Sequence, residues 1–180
     1  MIGKVSGFHA VLVVLAVSSL SCAPRADGRT VQRGDMLKAT EQDPAVQRDV
    51  QRVREATAAF KSLDSAVAAG YRRDVANCVE NQPHGAMGYH HQKDALLDDH
   101  LEVEAPEMLV YERLPSGEYR LNGVEYIVPF SARPATATPP VIMGQQLKPA
   151  PSLNLWYLHV WIWNENPSGL FADWHPGVHC

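Results

Sequence analysis

Between Asp43 and Gly70 the apolar side chains recur at three- and four-residue steps. Val46, Val50, Val53, Thr57, Phe60, Leu63 and Val67 form one stripe, and Arg48, Asp49, Arg52, Arg54, Glu55, Lys61 and Asp64 fill the opposite face. Asp43-Pro44 supplies a cap followed by a proline in the first turn, and Gly70 stands where a C-terminal stop belongs. The pattern predicts an amphipathic helix of about 26 residues, or two helices broken near Ala58. Its stripe reads as a core-facing seam and its charges as a solvated face, so it carries no chemistry.

After Gly70 the helical period is lost. Tyr71 to Leu101 is irregular, punctuated by Pro83, Gly85 and Gly88, and it holds His84, His90, His91 and His100. Asp94 to Leu101 suits a short helix. The period then becomes two. Glu107 to Glu112 reads as a strand, Pro115-Ser116-Gly117-Glu118 as a turn and Tyr119 to Val128 as an antiparallel partner. Strict alternation places Leu121, Glu125 and Ile127 on one face, and Val124, Tyr126 and Val128 on the other. Residues 133–151 are rich in Pro and Thr and look like a long loop draped over the sheet as a lid. Leu153 to Trp163 is apolar on both faces, as in a central or covered strand: Leu155, Tyr157, His159, Trp161 and Trp163 on one, Trp156, Leu158, Val160 and Ile162 on the other. The expected architecture is one α+β domain over residues 43–180, a long N-terminal helix packed on an antiparallel sheet of about four to six strands.

The N-terminal pattern points to export. Lys4 precedes an unbroken apolar run from Ala10 to Val17, followed by Ser18, Ser19 and Ser21, the layout of a secretory leader over residues 1–22. Leu20-Ser21-Cys22 resembles a lipoprotein box, with Cys22 acylated and Ala23 directing the protein to the outer membrane. Alternatively, Ser21-Cys22-Ala23 is a small-x-small cleavage site and Cys22 is lost. Residues 23–42 are polar, without an apolar period, and read as a flexible tether. The expected location is the periplasm or the outer membrane, with membrane contact only through the N-terminal lipid anchor.

Charge narrows the partners. The chain carries 16 basic and 20 acidic side chains, a net charge of −4, and loses one more positive charge with Lys4. Nothing in it resembles the clustered basic face of a nucleic-acid binder. Cysteine arithmetic leaves Cys78 and Cys180 once Cys22 is acylated or cleaved. In an oxidising compartment such a pair reads as one disulfide, the alternative being two buried free thiols.

The segments GAMGYHH, LVYERLPSGEYRLNGVEYIVP and LHVWIWNENPSGLFADWHPGVHC resemble a family of small secreted bacterial proteins. The resemblance runs from about Phe60 to Cys180 and is most specific over the last segment. The family pattern is matched at Cys78, Gly85, Met87, Gly88, His90, Glu125, Tyr126, His159, Trp161, Asn166, Pro167, Gly169, Trp174 and Cys180. The chain departs from it at His91, where tyrosine is usual, and at His175, where asparagine is usual. The resemblance implies a site and no particular chemistry.

The residues themselves suggest that chemistry. Glu125 is a carboxylate on a largely apolar strand face, costly unless paired or coordinating. With His90 on the glycine-flanked segment and His159 on the last strand it makes a two-His, one-carboxylate set. Such a set suits Zn, Cu or non-haem Fe, with Cu or Zn first. The plainer reading of His159 is a neutral core histidine hydrogen-bonded to backbone or to Glu125. His84, His91, His100, His175 and His179 read as surface residues, with a shallow second metal site at His175 and His179 as an alternative. Non-covalent haem on His90 or His159 is a further alternative, since no CxxCH occurs. A metal-independent acid–base pair of Glu125 and His159, or a small-molecule pocket lined by Tyr157, Trp161 and Tyr89, completes the set. No GxSxG, P-loop or dinucleotide fingerprint is present.

Overall fold

The computed structural model describes residues 41–73 and 78–180, with Met1 and Gly3. The leader at residues 1–22, the lipidation of Cys22 and nearly all of the tether expected over residues 23–42 lie outside the described residues.

Helix α1, Pro44–Thr57, begins as its sequence dictates, with Asp43 Oδ1 accepting the N–H of Ala45 at 2.7 Å. Val46, Val50, Val53 and Thr57 are buried along it, each apolar side chain contributing about 1.5–3 kcal/mol. The expected long N-terminal helix does not form; the chain takes the alternative of two helices, broken near Ala58. After Thr57 the chain tightens into a 3-10 turn, Ala58–Lys61, and then extends at Ser62 with φ −83° and ψ 118°. The Ser62 hydroxyl accepts the N–H of Ser65 and starts a separate six-residue helix, α2, Leu63–Ala68. The break resets the phase of the stripe: α2 buries Ala66 and leaves Val67 52% exposed.

The bulk of the fold is a curled antiparallel sheet, which also corrects the expected balance of helix and sheet. Its strands are β1 (Arg72–Arg73), β3 (Ala86–Gln92), β4 (Met108–Arg113), β5 (Tyr119–Pro129), β8 (Lys148–Ala150) and β9 (Leu155–Val160). They lie in the order β1-β3-β4-β5-β9-β8, and β2 (Val79–Glu80) also pairs with β3. A separate hairpin pairs β6 (Val141–Ile142) with β7 (Gln145–Gln146). The Pro-rich segment is therefore not simply a loop. It contributes this hairpin and an edge strand, and it buries Ile142, Met143 and Leu147 in the core.

Helix α1 covers one face of the sheet. Val46, Val50 and Val53 share a core with Leu109, Tyr111, Val124, Tyr126, Trp156 and Leu158. The Tyr111 hydroxyl donates to Phe60 O at 2.6 Å, and Arg54 Nε donates to Ile162 O at 2.7 Å. Strand β5 does not alternate strictly. Val110 pairs with Gly123 but Tyr111 with Leu121, so Asn122 is an extra residue that bulges the strand. Leu121 consequently turns into the same core as Val124, opposite to the face expected for it. Strand β9 stops at Val160, and Trp163 packs against the core side, with its Nε1 donating to Thr57 Oγ1.

Cys78 and Cys180 are joined by a disulfide, 102 residues apart in sequence. The same C-terminal segment is stitched to β3 by reciprocal backbone hydrogen bonds between Ala86 and His175. Among the described residues no helix is long and apolar enough to cross a membrane.

Candidate functional site

The opposite face of the sheet walls a cavity of about 560 Å³. Cross-strand partners share a face, so register decides what reaches it. Glu125 of β5 pairs with Met108 of β4 on one side and with His159 of β9 on the other. Ile127 pairs with Tyr157, and Gln92 of β3 with Met108. Met108, Glu125, Ile127, Tyr157 and Gln92 all line the cavity, as does His90. Met87, Leu97 and Trp174 close it from β3 and the loops, and Ala150, Leu153 and Asn154 from the segment before β9. Val79, next to Cys78, completes the wall.

His90 and Glu125 form a close pair on this wall. His90 Nε2 lies 3.4 Å from Glu125 Oε2, and both side chains are less than a tenth exposed. Burial, helped by neighbouring His91, lowers the His90 pKa to about 4, so its imidazole is neutral at pH 7. His159 is fully buried behind them, its ring centroid 6.2 Å from that of His90. Burial first, then His90 and Lys148, hold His159 neutral as well. Neither ring nitrogen of His159 has a hydrogen-bond partner among the described residues, nor does His90 Nδ1.

The expected site residues thus separate. His90, Glu125 and His159 come together, and Tyr157 lines the cavity. Trp161 does not line it. Beyond the end of β9, Trp161 packs with Ala86 and Val178, its ring between those of His159 and His175, and its Nε1 donates to Ala172 O. Tyr89 pairs with Tyr111 and meets the Tyr119 ring edge-on, toward the core side. Two histidines expected at the surface are buried: His91 packs against the Tyr111 ring, and His175 is 7% exposed. His175 Nδ1 accepts from Gly177 N–H, which leaves Nε2 to donate to Glu165 O. Both His175 nitrogens are therefore engaged in fixing the tail, and the site expected with exposed His179 does not form.

Of the wall residues, sequence reasoning named His90, Glu125 and Tyr157 for the site; among those it did not assign there are Met87, Met108 and Trp174. The Met108–Glu125 pairing that carries Met108 there is a property of register. It also missed Glu107, which is 1% exposed on the core side of the sheet. The signal for Glu107 was present: it shares its alternating face with Leu109 and Tyr111.

Among the described residues, no three His, Cys, Asp or Glu side chains form a group placed to hold a metal ion. Searches of protein-family models, curated proteins and solved structures found no match to this chain.

Proposed function

We propose that the protein is an exported binder of small, mainly apolar molecules, held in the cavity between β3, β4, β5 and β9. The observation that carries this reading is the cavity itself. Its volume falls in the range of small-ligand sites, and its largely apolar wall carries a few polar groups, among them the Glu125–His90 pair. The neutral imidazole and the carboxyl group 3.4 Å apart give a bound molecule a donor and an acceptor, the minimum for orientation. The same pair could move a proton on a bound substrate, which makes acid–base chemistry an extension of the reading. The leader pattern and the disulfide support export.

The decisive test fills the cavity. Ligand-observed NMR with a set of apolar molecules carrying one polar group should give hits with the wild-type protein. Those hits should vanish in Met108→Trp, while its circular dichroism stays native. Equal binding by the folded Met108→Trp variant would refute the proposal.

One observation favours a second reading, a transition metal, Cu or Zn, held by His90, His159 and Glu125. A buried imidazole with both nitrogens unpartnered costs about 1–3 kcal/mol for each orphaned group, and a metal bond would satisfy one of them. Two imidazoles on a tetrahedral ion have ring centroids about 5 Å apart, so the 6.2 Å between His90 and His159 would have to close by about an ångström on binding. The residues fit such an ion in donor type. It would supply Lewis acidity at the cavity wall. Elemental analysis of protein purified from its own compartment separates the readings: stoichiometric Zn or Cu favours the metal.

A further inference from the structure

We infer that the molecule this cavity takes is an organic cation, a protonated amine on an apolar body of one or two rings, with its ammonium group against Glu125. The inference rests on the reading of the cavity as a ligand site. Its first support is charge. Among the described residues lining the cavity there is no Lys or Arg, while Glu125 presents a carboxyl group. An anionic ligand would therefore be desolvated beside an acidic group with no cation to receive it, whereas an ammonium group favours the ionised carboxylate and gains a charge-assisted hydrogen bond.

The second support is the character of the wall. Tyr157 and Trp174 offer aromatic faces, and Met87 and Met108 offer polarisable thioethers, a lining that favours cations with an apolar body. Lys148, on the edge strand beside β9, holds its Nζ 5.7 Å from the Tyr157 ring centroid. That charge is neutralised by Asp173, whose Oδ1 is 2.5 Å from Nζ. Burial, with Asp173 and Glu125 adding to it, raises the Tyr157 phenol to about 12, so Tyr157 stays neutral and contributes its ring and a hydroxyl. His90 is neutral too and does not oppose a cation. The net charge of −4 also draws cations in preference to anions.

Three probes of similar size and different charge test this by isothermal titration calorimetry at pH 7: 2-phenylethylammonium, 2-phenylethanol and 3-phenylpropanoate. The ammonium should bind about tenfold or more tighter than the alcohol, and the propanoate weakest. Glu125→Gln should cost the ammonium about tenfold and leave the alcohol within about twofold. Alcohol or propanoate binding as tightly as the ammonium overturns the inference while leaving the cavity reading intact. A preference for propanoate that a chelator abolishes overturns it in favour of a bound metal. If none of the three binds, the cavity reading falls and the inference with it. The charge series on the wild-type protein decides alone should Glu125→Gln fail to fold.

Discussion

Glu107 Oε2 accepts the backbone N–H of Ile127 at 2.9 Å, joining the residue before β4 to the last part of β5. Burial raises its carboxyl from 4.5 to about 8, with Asp98 adding to the rise and its backbone hydrogen bonds opposing it. A raised carboxyl is carried protonated in the folded protein at neutral pH. Its contribution to stability is complete below about pH 4.5 and is lost as pH climbs toward 8, because the unfolded chain ionises first. Glu107→Gln keeps the acceptor and removes the ionisation. Urea denaturation across pH 4 to 8 should find the variant equal to wild type at the acid end. By pH 8 it should be more stable by a few kcal/mol. A constant difference across the range would mean that Glu107 is not the titrating group.

The Cys78–Cys180 bridge closes a loop with a sequence separation of 102, and the chain-entropy account values such a cross-link at about 4–5 kcal/mol. Reduction, or Cys180→Ser, should lower the denaturation midpoint correspondingly. Thiol titration of the unreduced, unfolded protein should find neither cysteine reactive. The backbone bonds between Ala86 and His175 should keep the tail docked after reduction, so native circular dichroism should survive at low temperature. Loss of the fold on reduction would assign the docking to the disulfide alone.

Gly88 has φ +115°, and a Cβ there would run into the carbonyl of Tyr111 on the paired strand. Gly88→Ala should therefore cost at least about 2–3 kcal/mol, from backbone strain plus a clash that only backbone movement relieves. Gly144, at φ +69°, has nothing within 4 Å of its added Cβ. Gly144→Ala should cost only the strain, about 1 kcal/mol. Thermal unfolding of the two variants separates these contributions, and equal losses would show that β3 and β4 can part to admit a methyl group.

Under the metal reading, Zn²⁺ or Cu²⁺ added to chelated protein should raise the melting temperature. His159→Ala should abolish that rise, and His179→Ala should leave it, since His179 is exposed and distant in role from the wall. Equal loss from both variants would transfer the ligand role to the C-terminal histidines. No rise in the wild type would leave the apolar cavity as the whole site.

Much of the site was legible because two signals are local. Glu125 breaks an apolar alternation, and His159 interrupts a run of aromatics, so each announces a polar group with a burial cost to offset. Their pairing across β5 and β9 follows once both strands are placed edge to edge. Trp161 and Trp163 were misassigned because alternation was continued past Val160, where the strand ends. Backbone groups there turn to Leu170 and Asn122 instead. Tyr89 was misassigned because proximity in sequence to His90 says nothing about face: adjacent strand residues point to opposite sides.

The sequence by itself determined where helix α1 begins, which residues it buries up to Thr57, the chemistry available at Glu125, His90 and His159, and the cysteine pair. These depend on a cap, a period, a residue type or a count, all of which act over a few positions. Tertiary structure decided the rest. The stripe left one helix or a break near Ala58 open, and the structure took the break, with Ser62 capping a second helix whose phase is new. The extra residue Asn122 turned Leu121 into the core, because one inserted position inverts every side chain on one side of it. The cavity exists only because β3, β4, β5 and β9 bring residues from His90 to Tyr157 onto one curved face, and that register is set by packing between elements far apart in the chain.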